Sequence, residues 1–188
     1  MKQSEIIKQL SDKELKKQLY LSQSLFILIS ILLSFVLFDN FSDWLHYFDW
    51  NVHEILTKGI LSGLIIVLID LAMIYILPKN YYDDDGINER IFSSQSVSFI
   101  LFFSFFVAVS EELLFRGVIQ TEFGYIAASL LFAIVHIRYM KKPVLFISIL
   151  FVSFYIGYLY ELTNNLLVTI TAHFCVDFLL GLVIRLKK

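Results

Sequence analysis

The chain holds a single cysteine, Cys175, in 188 residues, so no intramolecular disulfide can brace it. Charge is scarce: Asp, Glu, Lys and Arg make up 17% of the residues, against roughly 25% in a soluble globular domain. There is no basic excess either. The net charge of −2 excludes the footprint of a nucleic-acid binder. The period-two alternation of a membrane β-barrel is missing. No internal repeat is visible, and no His-Glu-x-x-His zinc helix occurs. What the chain has instead is apolar length, with 58% hydrophobic residues, 16% aromatics and a mean hydropathy of +0.74.

Apolar runs near the length needed to cross a hydrocarbon core of about 30 Å recur along the sequence. Six are expected, roughly Leu19–Phe38, Ile55–Leu77, Val97–Gln120, Gly124–Ile137, Pro143–Tyr160 and Leu166–Leu186, the fourth being short. Open sheets cannot satisfy their backbone in lipid, so the spans should be helices and the fold class all-α, a polytopic helical membrane protein. Pro143 suits a first helical turn, and Asn164-Asn165 suits a cap for the last span.

Basic residues alternate with their absence from loop to loop. Lys2, Lys8, Lys13, Lys16 and Lys17 precede the first span, and the loop from Asp39 to Glu54 has acids only. Lys79 and Arg90 follow the second span, Arg138, Lys141 and Lys142 the fourth, and Arg185, Lys187 and Lys188 close the chain. The positive-inside rule then puts both termini in the cytoplasm, in the plasma membrane, with Trp44, Tyr47, Phe48 and Trp50 as an outer aromatic belt. Residues 1–18 read as a short amphipathic cytoplasmic helix rather than a cleaved signal. Residues 19–96 hold two spans and an acidic linker, Tyr81–Glu89, and 97–188 hold the rest. Cys175 reads as a small apolar filler.

Ionisable groups within the spans are few: Asp70, Glu111, Glu112, Arg116, His136, His173 and Asp177. Each ionised group costs several kcal/mol near the bilayer centre, roughly 2.5–3.5 on insertion scales. Glu112 and Arg116, four apart, share a helix face and can neutralise each other. Glu111 points about 100° away and is free to address another helix. His173 and Asp177 share a face as well. Such a set either glues helices together as a polar network or activates water through a free carboxylate near imidazoles. Asp70, alone on its span, reads as structural or cavity-lining. His136 falls near the cytoplasmic end of its span, whereas Glu111 and His173 fall near mid-membrane. Either the fourth helix is displaced or the site opens as a funnel.

Glu111-Glu112 and Arg116 with three residues between, Phe132 and His136 likewise, and His173 and Asp177 likewise form three motifs in one order. Together they resemble the CPBP family, the CAAX-type prenyl proteases and bacteriocin-processing enzymes also called Abi proteins, from roughly Val97 to the C-terminus. The resemblance implies an intramembrane endopeptidase acting on a peptide or membrane-protein substrate. Glu111 and His136 would activate water, His173 and Asp177 would stabilise the oxyanion, and Glu112 with Arg116 would brace the site. Eukaryotic prenyl proteases of the family carry Asn where Asp177 stands. An ionised carboxylate cannot donate to an oxyanion, so Asp177 is expected to orient His173 instead. A zinc ion on Glu111, His136 and His173 has acceptable ligand types, but a metal-free glutamate mechanism is favoured. The Lys-, Ile- and Phe-rich composition suits a bacterium, where peptide processing or bacteriocin self-immunity fits better than prenylated CAAX tails. A non-catalytic immunity or scaffold protein acting by binding is the alternative.

Overall fold

The structure, a computed structural model, describes residues 9–140 and 142–187. Lys2, Lys8, Lys141, Lys188 and most of the expected amphipathic N-terminus lie outside them. Six apolar helices carry the fold: α1 (Asp12–Leu37), α2 (Val52–Ile76), α3 (Val97–Phe123), α4 (Tyr125–Val135), α5 (Pro143–Thr163) and α6 (Leu166–Leu186). Five are long and apolar enough to span a bilayer, and α4 is not. The expected short fourth span is present as this shorter apolar helix. At a rise of about 1.5 Å per residue, α4 itself is roughly 16 Å long, and the chain after it continues to the end of the bundle where Asn88 donates to Tyr139.

Local sequence explains the boundaries. Ser11 caps α1 in a reciprocal pair with Glu14. The segment after Ser11 is therefore the first turns of α1 itself and not a separate amphipathic helix. Leu15 packs there against Ile87, Ile91 and Phe103. Ser96 accepts from the Phe99 amide to start α3. Gly124, with φ +87°, breaks α3 from α4 in a conformation that few L-residues adopt. Asn164 ends α5 in the left-handed region. Asn165 caps α6 by accepting from the Leu167 amide, and its own amide donates 2.7 Å to Asp49 O.

Helix α6 is the centre of the bundle, packed on α2, α3 and α5. Its close approach to α2 depends on Gly59 and Gly63, a small-xxx-small pair. A Cβ on Gly63 would lie 2.6 Å from Cys175 Cβ and 2.8 Å from Ala172 O. Two helices contain wide, i→i+5 turns, at Ile55–Ile60 and Leu113–Gln120. Such turns occur often at functional sites, and the second begins directly after Glu112.

Polar contacts sort the loops into two ends. At one, Arg90 pairs with Asp12 at 2.9 Å, Lys16 donates to Gln95 at 2.8 Å, Arg185 donates to Gln95 O, and Lys142 pairs with Asp85 at 3.2 Å. At the other, Asn165 holds Asp49, Tyr47 packs against Tyr160, and Gln120 donates 2.8 Å to Glu161. The acidic segment is thus more than a solvated linker, because Ile87 and Ile91 dock it into the core. The aromatic belt is also revised. Trp44 folds inward over Gly117 and Tyr47 over Tyr160, leaving Phe48 and Trp50 exposed.

Candidate active site

Helix α3 is buried almost all round where it carries charge: Glu111, Glu112, Leu114, Phe115, Arg116, Gly117 and Val118 are all inside. The wide turn contributes from Leu113 on. Residues in it advance less per step around the axis, so consecutive side chains stay turned toward the neighbouring helices.

Arg116 is the anchor of this interior and is fully buried. Its Nε lies 3.3 Å from Glu112 Oε2, a charge contact without the alignment of a directed hydrogen bond. Its Nη2 donates 2.9 Å to Ser153 O on α5. Its guanidinium lies 4.7 Å from the Phe132 ring centre on α4, within cation–π range. One side chain thus joins three helices. Ser153 extends the network by donating to Ser129 O at 3.0 Å.

His173 of α6 sits at the focus of the carboxylates. Its Nδ1 is 2.9 Å from Glu112 Oε1. Its Nε2 faces Glu111 Oε2 at 3.9 Å and Asp177 Oδ2 at 3.6 Å. Glu112 therefore serves both Arg116 and His173. The sequence reading gave the orienting of His173 to Asp177. At 3.6 Å Asp177 lies beyond hydrogen-bond range, and Glu112 fixes the ring instead. An Nδ1–H held by a carboxylate sets the tautomer and leaves Nε2 to face Glu111 and Asp177.

Helix α4 starts at the Gly124 end and stops at His136, whose link to His173 runs through Phe132. His136 closes α4 with a tightened last turn, its N–H donating to Ala133 O. Its Nδ1 is 2.7 Å from Phe132 O, and its ring lies tilted against that of Phe132, 4.8 Å between centres. Phe132 in turn packs 5.9 Å from the His173 ring. His136 and Asp177 are half-exposed, while Glu111 and His173 are buried.

Among the described residues no three His, Cys, Asp or Glu side chains form a group that could hold a metal.

The sequence reading missed Gln23. This buried amide of α1 donates 2.9 Å to Glu111 Oε1, and its carbonyl accepts from Ser110 Oγ. A search for ionisable groups passes over an amide. The signal was a lone glutamine inside an apolar run. Asp70 lies apart from the site and accepts 3.2 Å from Ser148.

A helical membrane bundle whose interior keeps two carboxylates, a guanidinium and an imidazole in mutual contact defines a membrane-embedded protein with a polar central site. Residues 93–179 match the family described as type II CAAX prenyl endopeptidase Rce1-like. The chain belongs to that family, whose members are generally intramembrane proteases. It is 39% identical over 167 residues, 89% of this chain and 88% of the relative, to the uncharacterized protein YpbD of Bacillus subtilis (strain 168). No solved structure matches.

Proposed function

We propose that the chain is an intramembrane endopeptidase that hydrolyses a peptide bond in a peptide or membrane-protein substrate, with Glu111 as general base. The observation that carries this reading is the geometry at His173, held at Nδ1 by Glu112 at 2.9 Å and facing Glu111 across 3.9 Å at Nε2. A gap of that size is bridged by one water or one substrate oxygen. Glu111 takes a proton from the water as it attacks the scissile carbonyl. His173, as an imidazolium backed by Glu112, donates from Nε2 to the developing oxyanion. Glu111 then returns its proton to the leaving amine, which balances the hydrolysis. His136, on the half-exposed side, meets the attacking water, and Arg116 holds Glu112 in place. No metal enters the sequence of steps.

The protein sits in the cell membrane with both termini cytoplasmic. The end at which Asp12, Arg90, Gln95, Lys142 and Arg185 meet carries the basic loops. Lys58, toward the other end, is neutralised by Glu54 at 2.7 Å. Labelling of a Lys187→Cys variant in intact cells by a membrane-impermeant thiol reagent would reverse this orientation.

The test of the activity compares peptide termini in membranes of cells expressing wild type and Glu111→Gln at matched levels. New termini are expected with the wild type alone, in a bacteriocin, a leader peptide or another membrane substrate. Termini unchanged by Glu111→Gln would overturn the general-base assignment. If no terminus differs and an immunity phenotype survives the substitution, the protein acts by binding.

A further inference from the structure

We infer that Gln23, on a helix outside the family-matched segment, is a positioning residue for the reaction: its side-chain amide sets the plane and reach of the Glu111 carboxylate. This rests on the protease reading above.

Glu111 stands on α3 just ahead of a wide turn, while Arg116 makes its ion pair with Glu112. A carboxylate accepts only, so its orientation depends on which donors reach it. Gln23 Nε2 reaches Oε1 at 2.9 Å. Oε2, the other oxygen, is the one that faces His173 Nε2 at 3.9 Å. The amide therefore occupies one oxygen and leaves the other directed at the reacting space.

The amide is itself constrained. Only its nitrogen end can donate to a carboxylate. Its carbonyl end lies against Ser110 Oγ, which also stands 2.9 Å from Val107 O. The link Ser110–Gln23–Glu111 leaves α3, crosses to α1 and returns one residue further on. The neighbouring contact is apolar: Phe26, one turn from Gln23, packs edge-on to Phe115 at 5.8 Å. This keeps α1 in register against α3. Elsewhere α1 is mostly turned outward, with Leu21, Leu25, Leu28 and Leu32 about half exposed to lipid. A buried amide on such a helix is placed for a reason that lipid contact does not supply.

The experiment uses the full-length protein in detergent or vesicles. Its probe is a synthetic peptide spanning the terminus that distinguishes wild type from Glu111→Gln. Gln23→Met keeps the length and packing and removes the donor. The maximal rate should fall tenfold or more, in line with the loss of about 10²-fold that a misplacement of 1 Å can cause. The half-saturating peptide concentration should stay within about twofold, because Gln23 addresses the base and not the substrate. Ser110→Ala, which keeps Gln23 but loosens it, should lower the maximal rate in the same direction by a smaller factor. It serves if Gln23→Met folds poorly. A maximal rate for both variants equal to wild type or above it would overturn the inference while Glu111→Gln remains inactive. So would a change confined to the half-saturating concentration. Cleavage that survives Glu111→Gln would instead sink the protease reading and this inference with it.

Discussion

The two sides of the His173 ring are built differently. On the Nδ1 side lie Glu112 and Arg116, fully buried and tied to three helices. On the Nε2 side lie Glu111 and Asp177, spaced more loosely, Asp177 being half-exposed. Adjacent residues of one motif, Glu111 and Glu112, thus belong to opposite environments. One side is closed and charge-matched, as a brace must be in low dielectric. The other leaves distances too long for direct hydrogen bonds, where a third molecule is needed to complete them. On the proposed mechanism, the difference separates holding from reacting within a single helical turn.

The contrast is broken most severely from the closed side. Arg116→Ala leaves Glu112 buried without its cation, and the expected loss is roughly 3–5 kcal/mol of stability. Low membrane levels and a much reduced thermal midpoint in detergent should result. Wild-type-like levels would mean that the closed side is not a brace. From the open side, Asp177→Asn should leave folding intact and cleavage within about tenfold of wild type. An amide can donate to an oxyanion while a carboxylate can only accept, and Glu112 already orients the ring. Complete inactivity of Asp177→Asn, with normal expression, would assign Asp177 a part that needs its charge.

Much of this arrangement was legible in the residues. A strand-free chain of apolar helices follows from composition and run length, and the pairing of Glu112 with Arg116 from spacing alone. Caps at Ser96 and Asn165 are local chemistry that a sequence displays. Other features were hidden for identifiable reasons. The wide turn after Glu112 is set by tertiary packing, so a 3.6-residue period misjudges which faces of α3 are buried. The length of α4 depends on where His136 turns the chain, and apolarity continues past it through Ile137. Gln23 gains its meaning only from a neighbour 88 positions away. Gly59 and Gly63 form a readable pair, but their partner, α6, becomes evident only in three dimensions.

Helix α4 also bears on how the protein is made. An apolar helix of eleven residues is too short to enter a bilayer as an independent span. Gly124 leaves a tight reversal after α3, so α3 and α4 must be inserted together as a helical hairpin. Within that hairpin Phe132 covers the Arg116 guanidinium, and Glu112 neutralises it four residues away. The charged segment therefore enters the membrane already screened, and the barrier to placing three ionisable groups in lipid is met by the pair and not by α3 alone.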